Sequence, residues 1–373
     1  MNIVKKGYKK TAVEFIPKDW NIVKIGEILK IGSGKDYKHL GNGDIPVFGT
    51  GGKMLSVDSY LYDGESVCIG RKGTIDKPLL LSGKFWTVDT LFYTHSFNNA
   101  LPRFIYYSFL MINWKKYNEA SGVPSLSKTT IESIKILLPP KSEQKKIANF
   151  LTTWDKAIEK QSALIKQKQQ LKKGLMQKIF SQEIRFKDDD GNDFLDWEEK
   201  KLKDIGKIKK GSQLNKSELT EVGEYPAING GINPSGYTDK WNTGGDTITV
   251  SEGGNSCGYI NLIISKFWSG GHCYSIQELG SNVLNMFLFQ YLKFNERLIM
   301  RLRVGSGLPN IQKSDINNFK VKLPSLLEQT KIANSLTLAD DEISKLEQEL
   351  DVLQTQIQGL MQQLLTGQVR VKT

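Results

Sequence analysis

Two nine-residue stretches, EQKKIANFL at 143–151 and EQTKIANSL at 328–336, lie 185 positions apart and are nearly the same. The likeness extends backwards at the same offset, through Leu138-Pro139 and Leu323-Pro324 to SGVPSLSK (121–128) and SGLPNIQK (306–313). A duplication explains this, and a duplication constrains the fold more than any composition does. Behind the second copy, Ile332, Leu336, Ala339, Ile343, Leu346, Leu350, Leu353, Ile357, Leu360 and Leu364 alternate steps of four and three. That is the a/d seam of a coiled coil. The equivalent seam of the first copy is Ile147, Leu151, Trp154, Ile158, Gln161, Ile165, Lys168, Lys172, Leu175 and Ile179. Polar seam residues cost stability but fix register and orientation. The segment around the first helix, 142–184, carries net charge +5, and 325–373 carries −3, so the two attract. About 40 helical residues make a rod of ~60 Å.

The rest of the duplication is looser. Trp-led strand-like segments start at Trp20 and Trp197. Gly-punctuated turns follow, GDIPVFGTGG (43–52) and GEYPAINGGI (223–232), and then Lys-Phe-Trp in SGKFWTVDTLFY (82–93) and ISKFWSGGHCYSI (264–276). The offset drifts from 177 to 185 along the way, which places insertions in loops. Short β-rich runs dominate each unit, interrupted by one helix expected at 100–118 and its counterpart at 283–302. The expected fold class is α+β: two similar α/β globules separated by two long antiparallel coiled-coil helices, with a pseudo-twofold internal repeat. The expected segments are a first globule at 1–138, a first spacer helix at 139–183, a second globule at 184–323 and a second spacer helix at 324–368.

Composition excludes some classes. Charged residues at 24% and hydrophobic ones at 39% describe a globular chain. MNIVKKGYKK lacks an apolar core for a signal peptide, and no run reaches membrane-spanning length, so a cytoplasmic protein without a membrane partner is expected. Three cysteines (Cys68, Cys257, Cys273) without metal-ligand spacing fit a reducing compartment. Net charge is +11, of which +8 falls in residues 1–141, and a basic surface favours a polyanion.

Catalytic constellations are missing from the pattern. His39, His95 and His272 form no HxxxH or HxxE arrangement. GSGKDY (32–37) and GTGGKM (49–54) do not satisfy GxxxxGK[ST]. An amino-methyltransferase needs Asn/Asp-Pro-Pro-aromatic, whereas Pro139-Pro140 follows Leu138 and precedes Lys141. No metal site and no enzyme activity are expected on this chain. Polar, basic loops are present instead. The first globule offers Ser33, Lys35, Tyr37 and Lys38, then Arg71, Lys72 and Thr74. The second offers Lys210, Ser212, Gln213, Asn215 and Lys216, then Ser251, Glu252, Asn255 and Ser256. Such side chains read base edges, Arg or Lys on guanine, Asn or Gln on adenine, Glu on cytosine, although they also fill ordinary solvated loops.

The stretches LPPKSEQKKIANFLTTWDKAIEK and LPSLLEQTKIANSLTLADDEISKLEQEL resemble the Leu-Pro-x-x-x-Glu-Gln-x-x-Ile signature of DNA specificity subunits of type I restriction–modification systems. The resemblance spans the whole chain. It implies two target-recognition domains, each reading half of a bipartite double-stranded DNA site, held apart by the helices as a rigid spacer. It also implies partners: two modification subunits carrying S-adenosylmethionine, and restriction subunits using ATP and Mg, with no cofactor on this chain. Glu143, Gln144, Ile147 and Glu328, Gln329, Ile332 match the motif directly and are expected at a helix start that caps, packs and docks partners. Ser325 and Glu328 have capping-box spacing; the first copy has Pro140 in place of the serine. The alternatives are a specificity subunit of a type IIB or defence-island methylation system, and a coiled-coil scaffold whose globules bind peptide or RNA.

A stiff spacer makes a measurable demand. Adding one heptad to both helices shifts the globules by ~10 Å, at ~1.5 Å per residue. DNA rises ~3.4 Å per base pair, so the gap between half-sites should change by roughly three base pairs while the half-sites survive. Methylation-site mapping of the engineered complex reads this directly, and an unchanged gap in an active heptad variant contradicts it.

Overall fold

The computed structural model describes residues 7–11, 15–305, 307 and 309–371. The start of MNIVKKGYKK, and Ser306 and Leu308 of the second SGLPNIQK repeat, lie outside these. The chain divides into two compact units, residues 1–163 with 348–373, and residues 164–347. Each unit therefore takes in half of both long helices, Lys141–Phe180 and Leu326–Leu365.

All ten seam positions of each helix are buried or half-buried. In the first unit Ile147 and Leu151 share a core with Ile357, Met361 and Leu364. In the second, Met176 and Ile179 share one with Ile332 and Leu336. The start of one helix thus meets the end of the other, which is antiparallel pairing. The polar seam residues find the acidic helix. Lys168 Nζ lies 2.5 Å from Glu342, Lys172 Nζ lies 2.5 Å from Asp340, and Gln161 donates to Glu349 at 3.1 Å.

Each globule repeats one plan. In the first unit, Asn21–Lys24 pairs antiparallel with Lys135–Leu138, the strand that runs into the first long helix. A four-stranded antiparallel sheet follows in the order Lys30–Ser33, Leu91–His95, Ser66–Gly70, Leu79–Leu81. In the second unit, Glu198–Lys201 pairs with Lys320–Leu323, and the sheet order is Lys207–Lys210, Cys273–Gln277, Thr247–Ser251, Ile260–Ile263. A second sheet in each unit, four-stranded in the first and three-stranded in the second, holds one parallel pair, joining Val47–Phe48 to Trp86–Thr87 and Ala227–Ile228 to Trp268–Ser269. The expected helices at 100–118 and 283–302 are each broken. Pro102–Met111 stops where Ile112 turns extended, and a short 3-10 turn follows at Trp114–Tyr117. Asn285–Phe294 is separated from Glu296–Met300 by Asn295, whose ψ of 9° leaves the helical region.

The repeated Glu-Gln pair explains why the helix starts were kept alike. Strand pairing places Trp20 beside the helix start, where its Nε1 donates to Glu143 Oε2 at 2.9 Å. Arg370 grips the same carboxylate with two hydrogen bonds, Nε to Oε1 at 2.7 Å and Nη2 to Oε2 at 2.8 Å. The second unit repeats this with Trp197 donating to Glu328 at 3.1 Å and Arg185 donating at 3.2 and 2.9 Å. The capping-box expectation is therefore half corrected. Ser325 Oγ does accept from the Glu328 amide at 3.3 Å, but the Glu328 carboxylate is turned to Trp197 and Arg185. The glutamines act as staples. Gln144 donates to the Pro139 and Asn99 carbonyls and accepts from the Leu101 amide; Gln329 does the same with Pro324, Asn282 and Leu284.

A buried carboxylate stripped of its cation is costly. Arg370→Ala and Arg185→Ala each leave a fully buried glutamate with a tryptophan N–H as its remaining side-chain donor. Each should cost about 3 kcal/mol, Arg370→Ala in the first unit and Arg185→Ala in the second. Denaturant unfolding followed by hydrogen exchange assigns the loss to a unit; unchanged midpoints in both variants would show that the pair is dispensable.

Candidate nucleic-acid interface

The six motif residues expected to dock partners are all wholly buried: Glu143, Gln144, Ile147, Glu328, Gln329 and Ile332. Their task is internal, so the docking expectation for these side chains is corrected. They hold together the strand, loop and helix that meet at each helix start.

The expected base readers scatter around equivalent places in the two units. Glycine permits a close approach at one such place. A side chain on Gly34 would run into the Thr87 and Val88 carbonyls, and one on Gly211 into those of Ser269 and Gly270. Carbonyls rather than amides face these glycines, so GSGKDY is a tight crossing and not a phosphate cradle. Past Gly34, Lys35 and Lys38 are exposed, whereas Tyr37 packs on the small core of Val47, Val57, Trp86 and Val88. The Trp86 indole donates to the Lys35 carbonyl at 2.9 Å. Past Gly211, Ser212, Gln213, Asn215 and Lys216 are exposed. The Trp268 indole donates to the Ser212 carbonyl at 2.9 Å, the counterpart of the Trp86 bond. Asn215 caps the short 3-10 turn that contains Lys216.

The turn after the third-listed strand of each four-stranded sheet builds a cleft. In the first unit, Arg71 and Lys72 are exposed and Thr74 is half-buried. Leu126 donates its amide to the Arg71 carbonyl at 2.9 Å, and Lys72 bridges Ser125. The resulting cleft of about 520 Å³ is lined by Ser33, Arg71, Lys72, Phe92, Ser125, Ser127 and Lys128, with Glu119 at its edge. Burying Glu119 is avoided, and the Thr130 and Ser127 hydroxyls that bond to it hold its carboxyl below the usual range. The Arg71 guanidinium stands 5.9 Å above the Phe92 ring.

In the second unit, Ile311 donates to the Glu252 carbonyl at 2.9 Å and Gly253 bridges Asn310. The hydrogen-bond pattern makes Glu252 the counterpart of Arg71, and strand register makes Lys210 and Tyr274 the counterparts of Ser33 and Phe92. A cleft of about 430 Å³ is lined by Asn229, Ser235, Ser256, His272, Pro309 and Asn310 with neighbouring glycines. Lys210 Nζ pairs with Glu252 Oε1 at 2.6 Å and lies 6.0 Å from the Tyr274 ring. The Tyr274 hydroxyl donates to the same oxygen at 2.8 Å; burial, then this bond, pushes the phenol well above its ordinary range. Asn255 is exposed and Ser256 half-buried. Ser251 departs from expectation: it is buried at the end of its strand, with its hydroxyl donating to the Gly230 carbonyl. It is a structural residue. Glu252, grouped with these loops, is 4% exposed and stands behind the cleft-lining His272, whose Nδ1 lies 3.6 Å from its Oε2.

Cys68 and Cys273 are not poised as nucleophiles. Burial pushes the Cys68 thiol up to about 12 and Cys273 up to about 11, far from the thiolate that reactivity needs. Among the described residues no group of three or more His, Cys, Asp or Glu side chains is placed to hold a metal ion, and no helix is long and apolar enough to cross a membrane.

Comparison with known proteins matches this arrangement. The family model described as "Type I restriction modification DNA specificity domain" covers residues 17–167 and again 195–354, one match per repeat. The type I restriction enzyme MjaVIII specificity subunit of Methanocaldococcus jannaschii is 26% identical over 413 residues, covering 96% of this chain and 94% of that protein. A putative type I specificity subunit of Mycoplasma genitalium, S.MgeORF438P, is 32% identical over 43% of this chain and 42% of its own length. Among solved structures, the S subunit of a type I restriction–modification system from M. genitalium superposes with a TM-score of 0.69 at 20% identity, over 93% of this chain and 96% of that one. A chain solved in work on complex assembly and conformational transition of the type I R-M system gives 0.58 at 15% identity, over 95% and 99%. Both match in fold. With the family's domain matched twice and the two clefts repeated on one scaffold, the chain belongs to the type I restriction–modification DNA specificity family and is a DNA-recognition subunit.

Proposed function

We propose that this chain recognises a bipartite, asymmetric duplex site and directs two modification subunits to it, with restriction subunits joining the same assembly. The observation that carries this reading is one scaffold used twice with two differently furnished clefts. One cleft is walled by Arg71, Lys72 and Lys128, the other by Asn229, His272 and Asn310 beside the Lys210–Glu252 pair. A duplicated fold bearing different side chains suits a target whose halves differ. Exposed Lys35, Lys38, Ser212, Gln213, Asn215, Lys216 and Asn255 supply further contacts, the lysines to phosphates and the amides to bases. S-adenosylmethionine, ATP and Mg belong to the partner subunits in this reading, catalysis resides there, and the complex works in the cytoplasm.

Two outcomes test it. The purified chain alone should show no methyl transfer, cleavage or ATP hydrolysis above background. Combined with modification subunits, it should methylate a split site, and replacing residues 1–138 with the corresponding domain of another family member should change one half-site only. Methylation mapping of the hybrid complex reads the result; a change in both halves, or methylation without sequence preference at matched salt, contradicts the proposal.

A further inference from the structure

Positions 71 and 252 occupy the same place in the two units, fixed by the same backbone bond from the loop beyond (Leu126 to Arg71, Ile311 to Glu252). Their side chains have opposite hydrogen-bonding character. Arg71 is exposed, donates weakly to the Asp89 carbonyl at 3.5 Å, and has the rest of its donors turned outward over Phe92. Glu252 can only accept. Its Oε1 is taken by Lys210 and Tyr274, but its buried Oε2 has no hydrogen-bond donor among the described residues. The ring nitrogen facing Oε2 is Nδ1 of the exposed, cleft-lining His272, 3.6 Å away and beyond hydrogen-bond reach. A second buried acceptor without a donor among the described residues, Asn310 Oδ1, belongs to a residue that lines the cleft together with His272. Buried acceptors are normally satisfied, because each one left bare costs free energy. Asn310 lines the cleft and Glu252 stands behind its His272, so both ask for a donor from outside the chain.

We propose that residues 71 and 252 are the specificity-determining pair of the two half-sites, read with opposite polarity. Arg71 donates to the O6 and N7 acceptors of a guanine. Glu252, aided by Asn310, accepts from the exocyclic N4 amine of a cytosine after His272 moves aside. The major-groove edges of the bases make these pairings specific: guanine offers two acceptors to a guanidinium, and cytosine offers a donor that a carboxylate can take. Lys210 and Tyr274 hold Glu252 in place through its other oxygen and act as positioning residues. The inference rests on the DNA-recognition reading and refines it to two residues.

The test uses the full chain assembled with modification subunits and a randomised duplex library, from which bound sequences are selected and read. Arg71→Gln should lose a guanine preference at one position of one half-site, and Glu252→Gln a cytosine preference at one position of the other, each by about tenfold or more. In each variant the untouched half-site reports that the complex is folded and assembled. A complementary measurement needs no variant. Replacing the implicated cytosine by 2-pyrimidinone, which lacks the amine, should weaken wild-type binding by about tenfold and leave Glu252→Gln binding unaltered. A wild-type motif that neither substitution changes, or full affinity for the amine-free base, overturns the assignment. A wild-type complex that selects no motif at all counts instead against the DNA-recognition reading beneath it.

Discussion

Two fully buried carboxylates, Glu143 and Glu328, are what the rest of the molecule is arranged around. An ionised carboxylate removed from water is costly unless cations and N–H donors surround it. Here each takes an indole N–H from the tryptophan just before a strand, Asn21–Lys24 or Glu198–Lys201, and a two-pronged guanidinium from a segment that follows the opposite helix. Arg185 leaves the first helix and closes on the start of the second; Arg370 leaves the second and closes on the start of the first. Because the fork of arginine matches a carboxylate in a fixed plane, the pairing sets direction as well as distance. Neither helix can begin without the strand, and neither unit is complete without the chain beyond the other helix.

The neighbouring glutamines extend the same logic to the loop that enters the globule's main helix. An amide with both a carbonyl and an NH₂ group satisfies two backbone carbonyls and one amide at once, which neither glutamate nor lysine could do. Gln144 and Gln329 therefore complete a junction in which strand, loop and helix start are all fastened to one another. That is a physical reason for a duplicated chain to keep Glu-Gln while much around it drifts. It also accounts for their complete burial: every side-chain polar atom of the glutamates and glutamines is bonded inside.

Freedom to change lies where the backbone is held by main-chain bonds alone. The turn carrying Arg71 or Glu252 is fastened by amide–carbonyl bonds to the loop beyond it, so the backbone keeps its course whether the side chain is exposed, as in Arg71, or buried against Lys210 and Tyr274, as in Glu252. In one unit the cation sits on the turn itself, above Phe92. In the other it has moved to the edge strand Lys207–Lys210, as Lys210 beside Tyr274, and the turn carries the anion. An aromatic ring with a cation over it is retained while the sign of the turn position is reversed. Such an exchange alters what a cleft can recognise at little cost to the fold.

The sequence by itself determined the duplication, the two long helices, their pairing, and the two globules, because helical seams and tandem copies leave a periodic trace along the chain. It also picked out the turns at 71–74 and 251–256, through their Gly, Lys, Ser and Asn content, but not the loops at 125–128, 229–235 and 309–310 that line the clefts with them. Tertiary structure alone decided what those residues do. The Arg185–Glu328 and Arg370–Glu143 pairs span 143 and 227 residues, and no local pattern announces a partner that distant. Ser251 reads as a loop residue but ends a strand whose register buries it, and Tyr37 reads as a contact residue but packs inward. Glu252 stood among several polar loop residues until strand register placed it opposite Lys210 and Tyr274 and left one of its oxygens without a donor. Helix periodicity is written in neighbours; strand register and buried charge pairing are settled only when distant segments meet.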